Sequence, residues 1–144
     1  MHPFPHLYTA NADAPTTGEV TLTAVGLPTL ASAAPAEFDG PGDQWSPESL
    51  LVAAVADCFV LSFRAVAAAS KFSFTRVTAS CTGTLERPAT GTQFTRFEVH
   101  AALVVPAGTD LARAQKMLEK AEQVCLVTNS LKGESHLHCE ISTG

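Results

Sequence analysis

Three observations predict an α+β domain. The amino-terminal 35 residues are rich in Thr, Ala and Pro, with short alternating stretches. The run from Leu50 to Ala69 is apolar almost throughout. Two alternating segments, Phe74 to Arg87 and Phe94 to Pro106, are joined by a Pro- and Gly-containing link. The 144 residues suit one domain, taken as 1–144. Apolar residues make up 46% and charged residues 16%, a balance that builds a core and disfavours disorder.

Val20 to Thr23 and Thr29-Leu30 read as strands parted by the turns Thr17-Gly18 and Gly26-Leu27-Pro28, which gives a small β-meander. Residues 39–45 form a loop. Ser46 then reads as a helix N-cap, with Pro47 in the first helical position and Glu48 in the first turn. The helix runs over roughly 47–70, and from Leu50 to Ala69 only Asp57, Ser62 and Arg64 are polar. Such a helix must be buried on nearly every side. It is long enough for a bilayer, but Asp57 and Arg64 near its middle would be costly there, and no basic flank orients it. A chain of this size has trouble surrounding a six-turn helix, so a second copy is expected to cover part of it.

The two alternating segments form an antiparallel hairpin through Arg87 to Thr92, with Phe97, Val99, Ala101 and Leu103 on one face. Thr109 or Asp110 caps a second helix with the stripe Leu111, Ala114, Leu118, Ala121 and, one turn on, Cys125. Asn129 and Lys132-Gly133 are stop signals, and His136 to Ile141 reads as a short final strand.

Charge excludes several functions. The net charge is −5, and the first basic side chain is Arg64, behind seven acidic ones. An amino-terminal half without Lys or Arg is neither a secretory n-region nor an Arg-rich transit peptide, and it offers no basic stripe to nucleic acid. A cytoplasmic protein with neither nucleic-acid nor membrane partners is expected. Four cysteines, Cys58, Cys81, Cys125 and Cys139, contain no C-x-x-C and suggest no disulfide framework. His136 and His138 share a strand face with His100 conceivable as a third, but a metal site would need more ligands. Ser62, Thr128 and Ser130 lack the His and Asp partners of a hydrolase.

Cys58 shares a helix face with Leu51, Ala54, Val55, Leu61 and Ala65, and Cys125 falls on the inward stripe of the second helix. Both sulfurs point at the core, which allows them to meet. The plain alternative is that both fill an Ala-rich core, as Cys81 and Cys139 are read to do.

The segment Ser46-Pro47-Glu48-Ser49-Leu50-Leu51-Val52-Ala53-Ala54-Val55-Ala56-Asp57-Cys58-Phe59 resembles the Pro-Glu-x-Leu-x-x-Ala-x-x-x-Cys-Phe helix of the OsmC/Ohr family. Ala121 to Asn129 is similar to that family's second cysteine motif, and Glu37-Phe38-Asp39-Gly40 resembles the loop before the helix. The order of elements agrees over essentially the whole chain. The resemblance implies an OsmC-like fold, an intertwined homodimer whose long central helices are wrapped by β-sheet. It implies a thiol peroxidase acting on organic hydroperoxides, without metal or organic cofactor. Cys58 would be the peroxidatic nucleophile, Cys125 the resolving thiol and Glu48 a carboxylate organising the site, with a dithiol such as dihydrolipoyl groups as reductant. Leu51, Phe59, Leu61 and Phe63 would supply an apolar wall for a greasy hydroperoxide.

Glu48 precedes Cys58 by ten residues, about 15 Å along a straight helix, so it would serve the Cys58 of an antiparallel partner. The family's amino-terminal arginine is missing, and Glu37 stands at its position, a carboxylate where a cation would lower a thiol pKa. Another reading follows from that loss: a non-enzymatic dimer of the same fold, holding a hydrophobic small molecule or a protein partner.

Overall fold

Ser46 opens the longest element, and the reason lies in two hydroxyls. The Ser49 N–H donates to Ser46 Oγ at 3.1 Å, and the Ser46 N–H donates to Ser49 Oγ at 2.8 Å. This is a capping box with Ser in the position usually held by Glu or Gln. Helix α1 then runs Pro47–Ala69. It ends where Lys71 turns left-handed at φ 50° and the Phe72 N–H closes on the Ala67 carbonyl at 2.8 Å.

The computed structural model describes all residues, Met1–Gly144, and they form two compact units, Met1–Leu50 and Leu51–Gly144. The first unit holds β1 (Asn11–Asp13), β2 (Val20–Thr23) and β3 (Leu30–Ser32), an antiparallel meander in the order β1-β2-β3. The sequence predicts β2 and β3 within a residue or two; β1, too short and polar to signal itself, is additional. A single 3-10 turn, Ala36–Phe38, precedes the expected loop. Gly40 is required after it, because a Cβ there would lie 1.7 Å from the Ala34 carbonyl oxygen. Trp45 is half-exposed, and its backbone accepts the Ala33 N–H at 2.9 Å.

The second unit carries the core. β4 (Arg76–Glu86) and β5 (Gln93–Val105) form the expected antiparallel hairpin, with a register shift between Thr84 and Leu85. β6 (Glu134–Thr143) lies parallel to β5 and is longer than the predicted strand. A parallel neighbour requires a crossover, which α2 (Leu111–Val124) supplies, capped by Asp110 Oδ1 accepting from Ala112 N and Arg113 N. Phe97, Val99, Ala101, Leu103 and Val105 are buried on one face of β5, as alternation demands. Ala114, Leu118 and Ala121 of α2 and Val55, Phe59, Phe63 and Ala67 of α1 complete the cluster. Gly83 lets β4 come close to α1: a Cβ there would meet Val52 Cγ1 and the Phe94 ring at 2.8 Å.

One chain covers only part of α1, as the sequence leads one to expect: Val55, Phe59, Phe63, Val66 and Ala67 are inside, while Ala54, Leu61, Ala65 and Ala68 are exposed. Two expectations are corrected. Leu51, Phe59, Leu61 and Phe63 therefore form no single wall, because Phe59 and Phe63 fill the core and Leu61 is 52% exposed. The α2 stripe also differs at both ends. Leu111 is exposed, and the helix stops at Val124, so Cys125 sits between α2 and the short α3 (Leu126–Asn129) at ψ 99°.

Candidate active site

Cys58 lies on the margin of the buried face of α1, one turn before Ser62, and is partly exposed. Its sulfur is 3.9 Å from Ser62 Oγ. Cys125, 1% exposed, is delivered to the interior by the break between α2 and α3. Its sulfur lies 3.3 Å from Thr128 Oγ1, and Cys58 is near enough to act on its ionisation. Two free thiols 67 positions apart in the chain are thus neighbours within the second unit.

Burial is the main influence on Cys125 and raises its pKa; the Thr128 hydroxyl and N–H pull it down, and Cys58 pushes it up again. No cation figures among the groups acting on it. Cys81 on β4 is a third thiol in the same field: burial first, then Cys125, push its pKa up to about 11. Cys139 on β6 is raised by burial, against a hydrogen bond from Gln115 and with help from Glu119 and Glu122. A buried neutral thiol packs as a small apolar group, which suits the inward faces of these two strands.

Glu48 stands in the first turn of α1, in the first unit. It lines a cleft of about 510 Å³ whose other walls include Val20, Leu22, Phe38 and Leu50. One carboxylate oxygen, Oε2, is buried without a hydrogen-bond partner. Such an oxygen is costly to keep dry and unpaired. The unit has no Lys or Arg to offer it, and Glu37 is exposed.

His100 and His138, paired in register on β5 and β6, stack at 4.4 Å. His138 reaches Glu98 at 3.5 Å and His136 reaches Glu134 at 3.4 Å. No group of three or more His, Cys, Asp or Glu side chains is arranged to hold a metal ion. His2 and His6 are exposed, near the amino terminus. Thr128 is the site neighbour that sequence reasoning passed over, since its hydroxyl was tested only against a hydrolase pattern. Its place three residues after Cys125 is the signal that could have found it.

The family profile described as OsmC-like protein matches residues 40–140. The chain belongs to the OsmC-like protein family. Solved OsmC-like structures cover nearly all of it. An OsmC-like protein of unknown function from Vibrio cholerae is 20% identical with a TM-score of 0.84, over 95% of this chain and 99% of that one. An organic hydroperoxide resistance protein OsmC from Legionella pneumophila is 28% identical with a TM-score of 0.74, over 99% of each chain. An organic hydroperoxide resistance protein from Elizabethkingia anophelis is 23% identical with a TM-score of 0.78, over 99% and 100%. Among curated proteins, the uncharacterized protein YmaD of Bacillus subtilis (strain 168) is 28% identical over 113 residues, 75% of this chain and 74% of its own length. The OsmC-like fold expected from the two cysteine motifs is therefore present.

Proposed function

We propose that this OsmC-like protein is a thiol peroxidase that reduces organic hydroperoxides through Cys58 and Cys125. The observation that carries the reading is the neighbourhood of these two thiols, Cys58 partly exposed and Cys125 buried, with Cys58 acting on the ionisation of Cys125. The Legionella relative, named an organic hydroperoxide resistance protein, supports it. The Cys58 thiolate attacks the outer peroxide oxygen, the O–O bond breaks, and the alcohol leaves with the proton. Cys58 is then a sulfenic acid. Cys125 attacks its sulfur, the S–S bond forms and hydroxide leaves as water. A dithiol of the dihydrolipoyl kind reduces the disulfide by exchange.

The working form is a homodimer in the cytoplasm, with the exposed apolar face of α1 (Ala54, Leu61, Ala65, Ala68) against its copy. Glu48 serves the partner subunit's Cys58 rather than its own, which supplies its unpaired oxygen with surroundings from a second chain. Stopped-flow mixing of the reduced protein with cumene hydroperoxide tests the reading. Loss of two thiols per chain, much faster than in Cys58→Ser, is expected; thiols unchanged over minutes would overturn it.

Two observations favour a second reading. The apolar cleft beside Glu48 and the absence of any Lys or Arg before Arg64 suit a non-enzymatic dimer that holds a hydrophobic small molecule. Slow thiols together with saturable binding of an apolar ligand would select it.

A further inference from the structure

Three hydroxyls lie within a few residues of the two cysteines, and they are used differently. Ser62 Oγ stands off from Cys58 at 3.9 Å. Ser130 Oγ donates to the Leu126 carbonyl at 2.7 Å, the ordinary use of a Ser on a helical turn. Thr128 Oγ1 instead lies 3.3 Å from Cys125 Sγ, and Thr128 is buried at 8% exposure. A buried hydroxyl needs a partner, and the thiol sulfur is the one this hydroxyl has. The Cys125 carbonyl is taken by the Asn129 N–H at 3.0 Å, and the ψ of 99° at Cys125 swings the residue out of α2.

We propose that Thr128 is a positioning residue for the resolving thiol, its hydroxyl orienting Cys125 toward Cys58 and donating to the sulfur while it is charged. The catalytic consequence rests on the peroxidase reading above; the effect on Cys125 itself does not. A hydroxyl is a rotor. It accepts from the neutral S–H and turns to donate once the proton has left. In the resolving step the Cys125 thiolate displaces hydroxide from the Cys58 sulfenic acid, the S–S bond forms, and the hydroxide becomes water by taking a solvent proton. The nucleophile must therefore be ionised in a dry place. Burial opposes that, and Thr128 is the group that opposes burial. The titratable groups facing Cys125 are Cys58 from α1 and Cys81 from β4, both of which disfavour its charge or compete for it, and no cation acts on it.

The test compares the full-length protein with Thr128→Val and Thr128→Ser. In ¹³C-cysteine-labelled, reduced protein, the Cys125 Cβ resonance is followed against pH. Thr128→Val is expected to move its titration upward by about one pH unit, a tenfold loss of thiolate at a given pH, with Thr128→Ser close to the native curve. An unmoved Cys125 titration in Thr128→Val would overturn the proposal. In single-turnover mixing with cumene hydroperoxide, the sulfenic-acid phase is expected to be unchanged. The disulfide-closing phase slows about tenfold at neutral pH, its pH profile displaced in step with the resonance. Equal slowing of both phases, or no rescue by Ser, would also overturn it. Should Thr128→Val fail to fold, Thr128→Ala takes its place in the same measurements. A protein inert to peroxide but with a shifted Cys125 titration would reject the peroxidase reading while keeping the Thr128 assignment.

Discussion

The two ends of α1 present opposite situations. Around Cys58, in the second unit, the two sulfurs have neighbours: Ser62 Oγ at 3.9 Å from Cys58, Thr128 Oγ1 at 3.3 Å from Cys125, and each thiol near the other. Around Glu48, in the first unit, a buried carboxylate oxygen has no hydrogen-bond partner. The thiol half of the candidate site is thus assembled by one chain, whereas the carboxylate half is left unfinished by its own unit. What one unit leaves open is the part that the proposed second copy would have to supply.

The comparison is broken most severely at the thiols. Cys58→Ser is expected to lower peroxide consumption by about a thousandfold or more, because the remaining thiol of the pair, Cys125, is buried and its pKa is raised. Cys125→Ser should keep one rapid turnover at Cys58 and lose the disulfide, leaving a sulfenic acid that a dimedone-type trap labels. Rapid repeated turnover in Cys58→Ser would move the chemistry elsewhere.

Next in size are the two faces of α1. Phe59 is fully buried, so Phe59→Ala should cost about 3–5 kcal/mol in denaturant unfolding. Leu61, two residues on, is half-exposed, and Leu61→Asp should leave the chain folded but convert the proposed dimer to monomer in sedimentation. A monomeric native protein would remove the second copy from the account, and Glu48 from the site.

The carboxylate end is sharpened by restoring a cation. Glu37→Arg should speed sulfenic-acid formation by roughly tenfold, since a positive charge near a thiol favours its thiolate. A fall in rate would place the missing charge somewhere other than position 37.

The smallest effect concerns Cys81. Its folded pKa of about 11 lies above the unfolded value of about 9, so the native state holds the proton more tightly. Its stabilising contribution is complete below pH 9 and is lost as pH rises through 11. Cys81→Ala should flatten the unfolding free energy against pH over that window, and an unchanged slope would show that Cys81 does not titrate differently on folding.

Much of this was legible in the residues, and the misses share a cause. Ser46-Pro47-Glu48 announces the helix start because capping is local chemistry, and Phe97 to Val105 announces the core strand because its alternation is strict. The break at Cys125 was not legible. Ala121 to Cys125 keeps helical spacing, and no Gly or Pro announces the stop, which shows only in the extended backbone of the buried Cys125. The uneven burial of α1 was hidden for a related reason: an all-apolar helix does not record which of its faces its own chain covers. Glu48 was legible as a first-turn acid, but its lack of a partner is a property of the folded cleft alone.

The most direct test is peptide mapping of the protein after one equivalent of cumene hydroperoxide, with free thiols alkylated before digestion. The account predicts a peptide pair joined through Cys58 and Cys125, with Cys81 and Cys139 alkylated. Recovery of all four cysteines as alkylated thiols, or a bridge that leaves out Cys58, would contradict it.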